Sequence, residues 1–317
     1  MPLGLLDADA AVSLLCTLAL GEGQTPTPHQ REEAGVLAAE LGYLPLALEQ
    51  AGAYLFETGT SLADYRNLLG QVMDTAAGGI DPERTIARIW HHTLTAIEHR
   101  NPQSVTLLDA MAWLAPDAIP RTLLAPLSPD TRTLGEALGV LHSYNMISHS
   151  ADRQSISVHR LAQTVLQHRP ATGPDRHSPG RQDAEHLIRQ AIPTEDTNAP
   201  QWERLLPHVI ALAASTPPHS PASTETADAY HATAQYLYRE GRDAHSIPLR
   251  TAVLAQYEQV LGDTHPSTLT SRNNLAHARK AAETVEQPDT ASPATTPTLQ
   301  HPSDPPDQPD DPSNRSA

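Results

Sequence analysis

Apolar residues recur at helical spacing along nearly all of this 317-residue chain, and the period falls to two at only one place. That pattern restricts the chain to a mainly helical fold with one small patch of strand. Asp7 can cap a helix carrying Ala11, Leu14, Leu15 and Leu18, and Thr27-Pro28 places a cap before a proline suited to the first helical position. Gly42 stops that second helix. Leu44, Leu48, Ala51 and Leu55 form one stripe on a third helix ending near Gly59, and Ser61 caps a fourth. Gly78-Gly79 and Asp81-Pro82 mark a boundary, after which Ile86, Ile89, Thr93 and Ile97 share a helical face. Asn101-Pro102 opens a helix bearing Val105, Leu108 and Ala112, and another carries Leu134, Leu138 and Leu141. Met146-Ile147 and Ile156-Ser157-Val158 then flank the polar turn Ala151-Asp152-Arg153-Gln154, which predicts a hairpin.

Three helices followed by a hairpin make a winged helix. Loops rich in Pro, Gly and Ser at 170–180 and 216–226 bracket further helices, one of them striped by Trp202, Leu205, Leu206 and Val209. From Ala227 the helices are paired, with stops at Gly241 and Gly262 and a restart at Pro266. From Glu283 onward seven acids face only Arg315, with eight prolines and no aromatic residue, so the segment cannot bury enough apolar surface to offset its ordering entropy. The expected organisation is a helical subdomain over 1–75, a winged helix with a small β-hairpin over 80–170, a helical connector over 181–214, α-α hairpins over 226–282 and a disordered tail over 283–317.

Composition excludes several chemistries. The single cysteine, Cys16, lies in an apolar run and allows no internal disulfide. Trp90, Trp113 and Trp202 have apolar neighbours and read as core. A net charge of −16 disfavours a phosphate backbone as partner. No basic leader precedes an apolar run, and no run approaches the roughly 18 residues of a membrane span, so the chain reads as cytoplasmic. The only lysine, Lys280, sits in Ala278-Arg279-Lys280-Ala281 without a nearby glycine, so the chain contains no phosphate loop of the Gly-x-x-x-x-Gly-Lys-Ser/Thr type. Nucleophile elbows and zinc-protease motifs are also lacking. Among the 17 histidines, His91-His92 and His99 are spaced too far along one helix, or on different faces, to hold one metal ion.

Three stretches, in order, resemble the bacterial NB-ARC/STAND signalling ATPases that carry tetratricopeptide repeats. Glu40-Leu41-Gly42-Tyr43-Leu44-Pro45-Leu46-Ala47 resembles the Gly-Leu-Pro-Leu-Ala motif of the helical ARC subdomain, with Tyr43 where a second glycine is usual. The resemblance implies that Pro45 lies against a bound nucleotide. Ile156-Ser157-Val158-His159-Arg160-Leu161 matches the motif whose histidine senses the diphosphate of ADP, which gives that role to His159; the same histidine can instead simply cap the helix that follows it. Gly241 to Asn274, through Val260-Leu261-Gly262-Asp263-Thr264-His265-Pro266, is similar to repeats of the kinesin-light-chain type, with Ser246 and Val253 in place of small alanines, an expected loosening of that helix pair.

The resemblance implies a regulatory and protein-interaction module whose nucleotide-binding domain, with its Walker A and B residues, is a separate upstream segment or protein. Met1 to Asp7 resembles the stretch just after that domain, and a single helix pair followed by an orphan helix makes the repeat array short. No cofactor is expected on the chain alone, with ADP or ATP implied through the family. Micromolar affinity needs about 8 kcal/mol, against about 1.5–3 kcal/mol for one histidine bond to a charged group. Asn273 and Asn274 are the candidate partner-binding residues, suited to gripping a peptide backbone or else to ordinary helix packing. The alternative function is a winged-helix DNA-binding regulator, for which the third helix and wing offer Arg132 and Arg153 against Glu136 and Asp152.

Overall fold

A computed structural model describes residues 5–21, 23–73, 82–169, 180–193, 199–215 and 223–286. The first four helices are α1 (Ala8–Leu20), α2 (Pro28–Glu40), α3 (Pro45–Thr58) and α4 (Leu62–Met73). Their ends follow local chemistry. Asp7 Oδ1 accepts from Ala10 N at 2.8 Å, Thr27 and Gln30 form a reciprocal capping box, and Gly59 closes α3 in the left-handed region at φ 66. Gly52 lets α3 press on α1, since a Cβ there would stand 2.5 Å from Leu18 Cβ.

The next elements are α5 (Pro82–Arg100), α6 (Pro102–Met111), β1 (Ile119–Pro120), α7 (Arg121–Leu124), α8 (Thr131–Ser143), β2 (Ile147–His149), β3 (Ser155–Val158) and α9 (Arg160–Gln167). The expected hairpin is present as β2 and β3, but it belongs to a three-stranded antiparallel sheet in the order β1-β3-β2. Ile119 pairs with Ile156 and Pro120 with Ser155. Pro120 offers no N–H, so this strand fits only at an edge. The short α7 between β1 and α8 is likewise additional to the three expected helices.

Beyond these lie α10 (Arg181–Ala191), α11 (Ala199–Ala214), α12 (Thr224–Arg239), a 3-10 turn at Asp243–Ser246, α13 (Ile247–Leu261) and α14 (Pro266–Glu286). The expected linker up to Thr226 is shorter than read. Ser223 caps α12 by accepting from Thr226 N, and Thr226 is buried. The helix α14 continues to Glu286, past the expected onset of the tail at 283. The rest of that tail, the loops 170–179 and 216–222, and the boundary glycines 78 and 79 lie outside the described residues.

The expected connector is a structural centre. Helix α10 packs on α6, α7 and α12, and α11 packs on α12 and α13, so one contiguous cluster of buried side chains runs from Ala11 to Val253. Trp202 of α11 stacks on Tyr236 of α12 with ring centroids 4.7 Å apart. Trp90, Trp113 and Cys16 are buried, as their neighbours suggested. Arg181, itself buried, ties the parts together. It pairs with Glu185 at 3.1 Å, lies over the Trp113 ring at 5.1 Å and donates towards Leu212 O and Ser215 O. Glu185 in turn accepts from Thr226 Oγ1 on α12 at 3.4 Å.

Two buried ionisable groups brace the same region with opposite pH responses. His208 of α11 lies 3.3 Å from Ala118 O beside β1, and burial pushes its pKa down to about 4 from 6.5. Asp109 of α6 pairs with Arg169 at 2.8 Å, yet burial outweighs that partner and pushes its pKa up to about 6 from 3.8. A depressed histidine pKa supplies stability that is lost as pH falls from about 6.5 to about 4. A raised carboxyl pKa supplies stability at low pH that is lost as pH rises from 3.8 to about 6. Each amounts to about 3 kcal/mol over its full window. Between pH 4 and 6 the two slopes oppose each other. Urea unfolding across that window should therefore show His208→Leu losing stability as pH rises and Asp109→Asn gaining it. Parallel slopes in the two variants would contradict this assignment.

Candidate functional site

The turn between α2 and α3 holds two consecutive left-handed residues, Gly42 at φ 66 and Tyr43 at φ 55. Tyr43 therefore adopts a conformation that glycine takes freely and a side chain takes at a cost of roughly 1–2 kcal/mol. This is the position where the resemblance places a glycine. The conformation closes the C-terminus of α2, with Tyr43 N donating to Ala38 O at 3.0 Å. It also aims Tyr43 O at the start of the chain, where it accepts from Leu6 N at 3.1 Å. Pro45 follows as the first residue of α3, half-buried, its fixed φ suited to that position.

His159 occupies the exit of β3 as the N-cap of α9. Its Nδ1 accepts from Leu161 N at 3.2 Å, which puts the proton of the neutral ring on Nε2. The side chain is exposed, so capping leaves a donor facing outward, and the two readings of this histidine are compatible in geometry. The helix that Pro45 opens and the strand that leads into His159 are linked through intermediate residues. On α3, Gln50 Nε2 donates to Asn145 O at 2.6 Å and Glu49 O accepts from Asn145 Nδ2 at 3.4 Å. Two residues on, Ile147 pairs with Val158, the neighbour of His159. Arg100 strengthens this joint by pairing with Glu57 of α3 and lying 5.9 Å from the Tyr144 ring centroid.

These residues offer a nucleotide one N–H donor and one apolar ring, without an amide cradle or an ammonium. Among the described residues no group of three His, Cys, Asp or Glu is arranged to hold a metal ion.

The helices α12, α13 and α14 form the second candidate site. Asn274 lines a shallow groove with a cavity of only about 10 Å³, together with His231, Ala234, Arg250, Val253 and Ser271. Asn273 does not join it: consecutive residues on a helix are about 100° apart, and Asn273 is exposed away from the groove. The paired clamp expected from Asn273-Asn274 is thus reduced to one residue. Its groove neighbours His231 and Arg250 escaped the sequence reading, because nothing local to either residue announces the meeting of three helices.

Ser246 does not loosen the pair. It is fully buried, donates to Asp243 O at 2.6 Å and accepts from Arg250 Nε at 2.8 Å. Arg250 Nη2 reaches Asp243 Oδ1 at 3.0 Å. Burial pushes the Asp243 carboxyl up, but the bonds from Arg250 and Ser246 and the Arg250 charge together hold it below its ordinary value. Val253, the other departure from alanine, is also buried.

The sequence family described as a domain of unknown function, DUF7779, matches residues 95–172, which run from within α5 through the sheet and past α9. A protein of Hyaloscypha variabilis named a nucleotide-binding leucine-rich repeat (NLR)-like protein is 24% identical over 257 residues, covering 76% of this chain. The chain spans 26% of that relative's length. Among the described residues no helix is long and apolar enough to cross a membrane.

Proposed function

We propose that this chain is a non-catalytic regulatory and protein-interaction module of an NLR-like, STAND-type signalling protein. In this reading α1–α4 form the ARC-type arm, α5 to α9 a winged helix, and α12–α14 the start of a tetratricopeptide array. The observation that supports the reading is the joint of Gln50 and Glu49 with Asn145, which ties α3, the helix that Pro45 opens, to the hairpin whose strand β3 leads into His159. A diphosphate held by a phosphate-loop domain would meet the His159 Nε2–H there, and Pro45 would cover the nucleotide from the arm. The repeats then present their groove, with Asn274, to a protein partner. ATP turnover is assigned to the nucleotide-binding domain and not to this chain.

Calorimetry tests both parts. The chain alone should show no saturable binding of ADP at low-micromolar concentration. Reconstituted with a phosphate-loop domain of the same family, it should retain ADP, and His159→Ala should weaken that affinity about tenfold, the value of one hydrogen bond to a charged group. Unchanged ADP affinity in the folded His159→Ala complex would remove the histidine from this role, and tight ADP binding by the isolated chain would overturn the division of labour.

A further inference from the structure

A groove with a cavity of about 370 Å³ opens between α7 and α11. Gln201, Arg204 and Leu205 are spaced three and four residues apart on α11, so they share the face that lines it. Pro120, at the end of β1, and Thr122 and Leu123 of α7 line the other side. Ala191, the last residue of α10, completes the lining, and its carbonyl accepts from Gln201 Nε2 at 3.1 Å. That bond ties the start of α11 to the end of α10, while α10 itself packs on α7. Helices fixed against one another therefore set the width of the groove.

The lining divides by chemistry. Leu123 and Leu205 are buried and, with Pro120 and Ala191, give the groove an apolar floor. Its exposed polar groups are Arg204 and Thr122. Arg204 Nε donates to Pro200 O, one turn back, at 3.1 Å, which anchors the guanidinium and leaves both Nη groups as donors. Among the described residues no carboxylate pairs with Arg204, and its neighbour Glu203 is held by Arg242 at 2.7 Å. A cation with donors to spare, set beside an apolar floor, complements a ligand with an anionic end and a nonpolar body.

We propose that this groove binds a small organic acid, with its single carboxylate on Arg204 and a compact apolar body over Leu123 and Leu205. The planar guanidinium fork matches a carboxylate through two parallel hydrogen bonds, and the Thr122 hydroxyl adds a third donor. A phosphate dianion suits the place less, because one cation leaves half its charge uncompensated against apolar surface. A nucleic-acid backbone would require a row of cations. The cavity falls within the roughly 300–1,000 Å³ of small-molecule sites, whereas a partner helix, about 10–12 Å across with its side chains, is too wide for it. The site shares no residue with the Pro45 and His159 surface or with the groove of Asn274, and it does not depend on the function proposed for them.

The test titrates the full chain, at constant ionic strength, with phenylacetate, phenylacetamide and acetate in turn, followed by the methyl NMR signals of Leu123, Leu205 and Thr122. Phenylacetate should saturate these signals at concentrations on the order of millimolar. Phenylacetamide keeps the shape without the charge and acetate keeps the charge without the body, so each should bind about tenfold more weakly or less. Arg204→Gln should weaken phenylacetate about tenfold and leave phenylacetamide unchanged, with Arg204→Lys between, since it retains the charge but not the fork. Arg204 is exposed and glutamine is a good helix former, so the Arg204→Gln protein should melt close to the parent. Absence of saturation by phenylacetate, equal affinity for the acid and the amide, undiminished binding in Arg204→Gln, or shifts confined to residues outside the groove would each overturn the proposal.

Discussion

Gly180→Ala is expected to destabilise the protein by about 4 kcal/mol, a fall in melting temperature on the order of 10 °C. Gly180 immediately precedes α10, where that helix runs against the backbone of α6. A Cβ at this position would stand 2.1 Å from the carbonyl carbon of Asp109 and 2.4 Å from Ala110 N. Both obstacles are main chain, so no rotamer change can clear them. The residue is also left-handed, at φ 71, which adds a conformational cost for any side chain. Gly241→Ala separates the two causes, since its φ is 69 and nothing lies within 4 Å of an added Cβ. That control should lose only about 1 kcal/mol. Equal losses in the two variants, measured by urea unfolding, would show that α10 does not press on α6 as closely as described.

Arg181→Met should cost a comparable amount, about 3–5 kcal/mol, because it strands the largely buried Glu185 without its partner. Burial already pushes the Glu185 carboxyl above its ordinary range, with Arg181 as the main opposing influence. Removing that cation raises the folded-state pKa further. A carboxyl so raised contributes stability at low pH that is lost as pH rises, so the variant should be hurt less at pH 5 than at pH 8. The double variant Arg181→Met, Glu185→Leu should recover most of the loss, since apolar groups replace both charges. Failure of the second change to restore stability would mean that the arginine acts through its contacts with Trp113 and the α11 carbonyls instead.

The fusion of parts around Arg181 is what the amino-acid order concealed. Read along the chain, residues 181–214 look like a spacer between two independent units. Its apolar stripe was visible in Trp202, Leu205, Leu206 and Val209, but a stripe does not name the surface that covers it. The same limit explains β1. Two residues, one of them proline, carry no periodicity, and Ile119 becomes a strand only because Ile156 offers an edge to pair with. The candidate sites divide in the same way. His159 and Pro45 were legible as candidates because each sits within a short local motif, whereas His231 and Arg250 were not.

Helix ends, the mainly helical class and the single hairpin were determined by the sequence itself, because caps, glycine stops and apolar periods act within about one helical turn. Asp7, Thr27, Gly59 and Gly262 do in the fold what their neighbours require of them. The third strand, the central role of α10 and α11, and the meeting of His231, Arg250 and Asn274 at one groove were decided only by tertiary structure. Those outcomes rest on contacts between segments distant in sequence, such as Gln50 with Asn145, 95 residues apart. Such contacts form where surfaces match in shape and charge, and that match exists only after the local elements have been assembled.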